Sequence, residues 1–330
     1  MEIIKIEADG LSADELQGLY TADCKIVEKY GFLKRYRNAD EYRDSFLPAF
    51  LGDENELFVA KEGSQIRGII RHVKSADWGA NERYKLTISI CEPIVTKSLM
   101  EALGQFVSKK LARHGTLALF VYNNELDELV EKLGGKTQYK AYTYTLGKAD
   151  IDTDMLNKTT AELQSKNSGL RMVYLDAITE EYIQQFCDLF TELHEDMPDV
   201  AEEAFVQYII TPEKQRQINE GNIAKDITHH CYMIFDGDEL IAMSNVSANN
   251  KDPRFPYQFF FCVRGQYRGR GLGRWLYAAM YKKLHDTVDF EKMLVHHHPA
   301  NPHAADVSKW VGYKIGWLET TYLAEGFRNG

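Results

Sequence analysis

The hydropathy pattern gives the same order of elements on either side of a polar stretch, and this repetition limits what the chain can fold into. In the first half, Glu56–Ala60 and Ile66–Val73 read as a hairpin across Glu62-Gly63-Ser64. A strand at Lys85–Ile90, a helix at Ser98–Arg113 and a strand at Thr116–Tyr122 are expected next. A helix at Glu125–Leu133, the pair Gly134-Gly135 and a strand at Tyr139–Leu146 complete this copy. The second half repeats the succession, beginning with a hairpin at Cys231–Phe235 and Leu240–Val246 that turns at Asp236-Gly237-Asp238. A strand at Gln258–Val263, a helix at Gly273–Leu284 and a strand at Lys292–His297 follow. A helix at Ala304–Val311, then Gly312-Tyr313 and a strand near Trp317–Leu323 end it. Gly134 and Gly312 lie more than half the chain apart, so the second copy carries the longer front end, with helices expected around Glu180–Leu193 and Glu202–Ile210. The expected fold is a duplicated α/β (α+β) one, each copy a mixed, mostly antiparallel sheet flanked by helices.

Polar residues dominate Lys148–Ser168, which divides the chain into a first domain at 1–147, a linker at 148–168 and a second domain at 169–330. Within the linker, Met155, Leu156 and Leu163 share one side of a short helix expected at Asp154–Leu163. At ~100–200 residues per domain, 330 residues suit two domains, each able to bury its own core. The densest apolar run, Phe259–Val263, falls far short of the ~18 residues a membrane span needs, so no membrane partner is expected. Met1-Glu2-Ile3-Ile4-Lys5 has no basic segment followed by an apolar one, so no secretory leader is expected either. Cys24, Cys91, Cys187, Cys231 and Cys262 are scattered, odd in number and never in a CxxC pair. That fits reduced thiols in the cytoplasm better than disulfides or a zinc site. The formal net charge of −10 repels polyphosphate at long range and argues against nucleic acid as a partner. A phosphate site must then be a local concentration of cations.

One such concentration exists. Val263-Arg264-Gly265-Gln266-Tyr267-Arg268-Gly269-Arg270-Gly271-Leu272-Gly273-Arg274 follows the apolar run Phe259-Phe260-Phe261-Cys262, whose continuity implies a strand buried on both faces. It precedes Leu272, Leu276, Ala279, Met280 and Leu284 at helical spacing. Strand, glycine-rich loop and helix start together aim unpaired backbone N–H groups and the positive end of the helix dipole at one point. Glycines allow close approach, and four arginines add charge, so an anion such as a diphosphate belongs there. GxGxxG fails because Arg274 stands where the last glycine would be, and GxxxxGK[ST] fails for want of Gly-Lys-Ser/Thr. An Arg/Gly run in an RNA-binding tail and a purely structural turn are the competing readings. The bracketing strand and helix oppose the first, and the density of arginines opposes the second.

Arg268-Gly269-Arg270-Gly271-Leu272-Gly273 resembles the Q/R-x-x-G-x-G/A motif with which GNAT acetyltransferases cradle the pyrophosphate of coenzyme A. Asn301 with Ala304, Ala305, Val307, Val311 and Gly312-Tyr313 resembles the family's N-x-x-A-x-x-L-Y-x-K-L-G-F segment. The likeness is good over Cys231–Leu323 and weaker over Leu170–Asp226, and the tandem layout with a degenerate first copy is similar to the two-domain group that includes mycothiol synthase. The resemblance implies an N-acetyltransferase with acetyl-CoA as cosubstrate and a small-molecule amine as acceptor. It implies cofactor contacts at Cys262, Val263, Arg268, Gly269, Arg270, Gly271, Leu272, Gly273, Arg274 and Asn301. It also implies that the backbone N–H of Val263 polarises the thioester carbonyl.

Departures from the family's pattern bear on mechanism. The family's tyrosine, seven residues after the asparagine, is Ser308 here, a far weaker acid than a phenol of pKa ~10, able to relay a proton or orient the sulfur. Tyr313 takes the slot of a core aromatic, and Gln258–Cys262 contains no carboxylate to act as base. His296, His297 and His298 alternate faces of a strand and cannot all chelate one ion, so no metal is expected. His297 or His298, at the strand end, is either a satisfied polar residue or a base near the acceptor. Glu192, Glu195, Asp196, Asp199, Glu202 and Glu203 form either a solvated face or an attraction for a cationic amine. The first copy reads Ile90-Cys91-Glu92-Pro93-Ile94-Val95-Thr96-Lys97-Ser98 where the loop should be, with no glycine and one glutamate. A non-catalytic acyl-CoA-binding module remains the alternative function, and neither the acceptor nor the oligomeric state is specified.

Overall fold

The computed structural model describes residues 1–7, 11–51, 55–75, 83–195 and 210–325. Its strands, in chain order, are β1 (Glu2–Ile6), β2 (Asn55–Glu62), β3 (Gln65–Ser75), β4 (Arg83–Ile90), β5 (Thr116–Tyr122) and β6 (Lys136–Gly147). β7 (Leu170–Leu175), β8 (Ile227–Asp236), β9 (Glu239–Asn249), β10 (Tyr257–Val263), β11 (Lys292–His297) and β12 (Lys314–Glu325) follow. Two compact units result. The first holds Met1–Tyr142 together with the C-terminal stretch from Gly316, and the second runs from Thr143 to Ile315. The units therefore are not the two sequence halves, because the end of the chain belongs to the first.

In the first unit, β1, β2, β3 and β4 pair antiparallel in that order and β4 pairs parallel with β5. Glu319–Glu325 of β12 then runs antiparallel to β5. The helix Lys97–His114 buries Leu99, Leu103, Val107 and Leu111 with Leu86, Ile88 and Ile90 of β4 in one core. A second core gathers Leu57, Val59 and Ile69 with Leu16, Leu19, Ala22, Ile26 and Tyr30 of the helix Ala13–Tyr30. The expected element order omits that helix, although its start is written in the sequence. Ser12 and Glu15 form a capping box, and the buried positions follow at intervals of three and four.

In the second unit, β7, β8, β9 and β10 pair antiparallel in that order, β10 pairs parallel with β11, and Thr143 of β6 meets His296 of β11. Alternating residues of β8 face opposite ways. Ile234 joins Ile241, Ala242, Leu272, Trp275 and Leu276 in one core. Met233 and Phe235 join Phe186, Leu189 and Phe190 of the helix Ile183–Glu195 in the other. Within 148–168 the helix expected at Asp154–Leu163 is present and somewhat longer, Thr153–Lys166, capped by Asp152, with Leu156 fully buried and Leu163 packed on the Leu272 core. Its polar composition reflects an amphipathic helix whose outer face meets solvent. The helix Pro212–Ala224, capped by Thr211, is a further element absent from the expected order.

Candidate functional site

β10 leads into the short turn Gly265–Tyr267 and then the helix Leu272–Thr287, so the expected strand, loop and helix succession is present. Gly269 and Gly271 take positive φ, 78° and 83°, which side-chain-bearing residues avoid. A Cβ on Gly273 would come within 2.9 Å of the Phe261 ring, so this glycine lets the helix approach its own strand. Helices starting at Ala13, Lys97, Thr153, Pro212 and Pro302 are capped by Ser12, Thr96, Asp152, Thr211 and Asn301 side chains. The helix Leu272–Thr287 has Gly271 at its N-cap and no side-chain cap. Its first N–H groups and its positive dipole end are thus open to an anion.

The arginines divide. Arg264 is committed to carboxylates, with Glu192 at 3.1 Å and Glu239 closer still, so it adds little charge for a ligand. Arg268 is exposed and donates from Nε to the Val263 carbonyl (3.0 Å), bracing the loop. Arg270 lies over the Tyr267 ring and Arg274 over the Trp310 ring; both are exposed, and neither pairs with a carboxylate among the described residues. The Tyr267 hydroxyl donates to Asp236 (3.0 Å) and ties the loop to the β8–β9 turn.

Upstream of the loop, β10 parts from its parallel neighbour. Tyr257↔Leu294 is its one register pair with β11, whereas its pairing with β9 runs to Val263↔Ala242. A bulge at Phe259 interrupts the β9 register between Gln258 and Phe260. Gln258 holds the bulge by donating from Nε2 to the carbonyls of Asn245 (2.9 Å) and Phe260 (2.8 Å). Its Oε1 accepts from the Tyr281 hydroxyl (3.1 Å), which also meets Tyr313 (2.9 Å). The expectation of a strand covered on both faces is corrected here. Phe260 and Cys262 are buried, but Phe259 is 45% exposed and Tyr257 43%. Phe259 sits at the bulge, with its ring stacked on Phe190 at 6.1 Å between centroids.

β11 and the helix Pro302–Val311 bring His297 and Ser308 together. His297 Nε2 lies 2.7 Å from Ser308 Oγ, and the Tyr277 hydroxyl lies 3.3 Å from the same oxygen. Ser308 and Tyr277 are fully buried and His297 nearly so. Burial lowers the pKa of His297 to about 4, helped by neighbouring His296 and Lys309, so it stands neutral at pH 7 and is a poor base. Burial raises Tyr277 to about 12, keeping its phenol protonated. His298 is partly buried and accepts from the Ala300 N–H at Nδ1 (3.1 Å). No cluster of metal-binding side chains occurs among the described residues, and the three histidines do not converge. Asn301 caps its helix by accepting from the Ala304 N–H (3.2 Å), which gives it a structural task beside any ligand contact. Burial pushes the Cys262 and Cys231 thiols far up, so neither supplies a thiolate.

Of the acidic run, Glu192 is described and pairs with Arg264. Asp196, Asp199, Glu202, Glu203 and the Glu195 side chain lie outside the described residues, as does the helix expected at Glu202–Ile210 apart from Ile210 itself. In the first unit the corresponding helix start is occupied from within. Thr96 caps the helix, and Arg67 binds Glu92 (2.7 Å) at a cleft of about 280 Å³ lined also by Glu62, Pro93, Ile94 and Leu99. Tyr277, Tyr281 and the Gln258 side chain carry no expected role in the sequence, yet they meet at the site. The two tyrosines sit four apart on the same helix, a signal that marks a shared face without revealing what their hydroxyls meet.

A mixed sheet with a parted parallel pair and an open helix end beside it defines an acyltransferase-type fold. Residues 186–313 match the acetyltransferase (GNAT) family. The whole chain has the fold of tandem GNAT proteins. It matches a tandem GNAT protein from the clavulanic acid biosynthesis pathway, in a structure without AcCoA, at TM-score 0.58 and 12% identity over 98% of each chain. It matches a GCN5-related N-acetyltransferase from Sphaerobacter thermophilus at TM-score 0.60 and 11% identity, over 98% of this chain and 95% of that one. A glucosamine N-acetyltransferase region of a fungal multi-domain β-N-acetylglucosaminidase matches at TM-score 0.58 and 12% identity, over 97% of this chain and 38% of that one. No curated protein sequence matches the chain.

Proposed function

We propose that the protein is an N-acetyltransferase moving an acetyl group from acetyl-CoA to the amine of a small-molecule acceptor by direct attack. One observation carries this reading: the uncapped helix end at Gly271 lies just beyond a strand that parts from its parallel neighbour. The N–H groups at Gly271–Arg274 and the guanidinium groups of Arg268, Arg270 and Arg274 suit a diphosphate. From there to the bulge, β10 offers a few residues at ~3.3 Å each, a track for an extended arm. Val263 is assigned the N–H that polarises the thioester carbonyl.

In the transfer, the amine nitrogen forms a bond to the carbonyl carbon and the carbon–sulfur bond breaks. The amine gives up a proton and the departing thiolate takes one. Ser308 is assigned to the sulfur side, backed by the Tyr277 phenol and oriented by His297. His298 at the strand end is assigned to the amine side, since burial disqualifies His297 as a base near pH 7. A non-catalytic acyl-CoA-binding module is the second reading, favoured by the complete burial of Ser308. Calorimetric binding of CoA, run beside thiol release from acetyl-CoA across an amine panel, separates them. Binding with release supports the transferase, and binding without release supports the module. No binding sinks both.

A further inference from the structure

The sheet face of the second unit that packs against the helix Ile183–Glu195 carries two polar side chains with no hydrogen-bond partner among the described residues. The register sets His229 opposite Ser247, Cys231 opposite Asn245, and Asn245 opposite Phe260. His229, Cys231, Asn245 and Phe260 therefore share that face. The surrounding layer is apolar, built from Phe186, Phe190, Met233 and Met243. His229 meets the Phe186 ring edge-on, and Phe260 lies 4.4 Å from the Phe190 ring.

Within this layer His229 is 5% exposed and Asn245 0%. Nδ1 and Nε2 of His229 and Nδ2 and Oδ1 of Asn245 have no hydrogen-bond partner among the described residues. Buried polar atoms are nearly always bonded, and leaving one bare costs more than an ordinary bond returns. The contrast with Gln258 is local: its buried amide bonds two carbonyls, a serine and a tyrosine. Asn245 stands next to the bulge, where β10 leaves β11 and where an acyl group at the end of the extended arm would arrive.

We infer that Asn245 and His229 determine acceptor specificity by holding a neutral group of the acceptor that both donates and accepts hydrogen bonds, such as a hydroxyl or a primary carboxamide. This rests on the acetyltransferase reading above. Asn245 offers two donors and an acceptor, and a neutral imidazole one of each. Burial lowers the pKa of His229 to about 4, so it is neutral at pH 7. A carboxylate or ammonium seated between them would find no counter-charge among the described residues of the apolar layer.

The test uses the full chain, with Asn245→Leu and His229→Phe, and matched amines as probes: ethanolamine against n-propylamine, and glycinamide against isobutylamine. The wild-type chain is expected to turn over the hydroxyl or carboxamide member at least tenfold more efficiently in kcat/KM. Asn245→Leu is expected to bring each pair to parity while leaving the CoA-induced rise in Tm unchanged. Because no hydrogen bond is lost, its ligand-free Tm should be equal to or above that of the wild type. Absence of any preference in the wild-type chain overturns the inference, and so does a ligand-free Tm several degrees lower in Asn245→Leu. If CoA fails to raise the wild-type Tm, the acetyltransferase reading itself has failed and both are overturned.

Discussion

His297 Nε2 lies 2.7 Å from Ser308 Oγ, and the Tyr277 hydroxyl approaches the same oxygen at 3.3 Å. The phenol that Ser308 lacks thus comes from the neighbouring helix. Ser308→Ala is expected to lower kcat while leaving CoA affinity nearly unchanged, and Tyr277→Phe to do the same. If the two groups act as one relay, the double variant loses scarcely more than either single one. Fully additive losses, or turnover intact in Ser308→Ala, rule the relay out. Ser308→Ala also strips His297 of its Nε2 partner, at a stability cost of roughly 1–3 kcal/mol.

Arg270→Glu tests the loop without disturbing the fold, since Arg270 is exposed and pairs with no carboxylate among the described residues. CoA at ~100 times its dissociation constant adds ~2.7 kcal/mol to the stability of the wild-type chain, and most of this should vanish in the variant. A thermal shift equal to that of the wild type rejects the assignment. Gly271→Asp is a less specific probe. Its Cβ would lie 2.8 Å from Leu163 at φ 83°, so the ligand-free protein should also melt lower.

Stability is expected to fall as pH drops from about 6.5 towards 4. Burial lowers His72, His229, His230 and His297 from 6.5 to about 4 in the folded chain. A depressed folded pKa means the unfolded chain takes up the proton first. The stability these groups confer is complete above 6.5 and is lost as pH falls towards 4. For His229 the full effect is about 3 kcal/mol. Asp23, raised to about 6 by burial, acts oppositely, because its penalty is relieved in acid. Denaturant midpoints across this range check the balance, and His229→Phe should flatten the curve. A flat wild-type profile down to pH 4.5 contradicts it.

One CoA is expected per chain. The first unit's helix start is capped by Thr96, and Glu92 and Arg67 neutralise each other beside it. Calorimetric titration of the whole chain is the measurement. Halves are unsuitable, because the chain from Gly316 belongs to the first unit. Two equivalent sites would reverse the assignment of the first copy as degenerate.

The sequence by itself determined the order of strands and helices from Glu56 to Leu146 and from Cys231 to Leu323, because period-two and helical spacing are local properties. It also determined the loop. Gly269, Gly271 and Gly273 answer to backbone conformation and close approach, which residue type alone can announce. The helix Ala13–Tyr30 was equally legible in its capping box. Tertiary structure alone decided the rest. It committed Arg264 to Glu192 and Glu239 and left Arg270 and Arg274 without a carboxylate partner among the described residues. It turned Phe259 outward at a bulge, set Tyr277 beside Ser308, and left the Asn245 side chain without a hydrogen-bond partner among the described residues, beneath an apolar layer. Each of these depends on which atoms from distant parts of the chain meet, and on the burial that fixes their charge, neither of which is encoded in the spacing of residues along one segment.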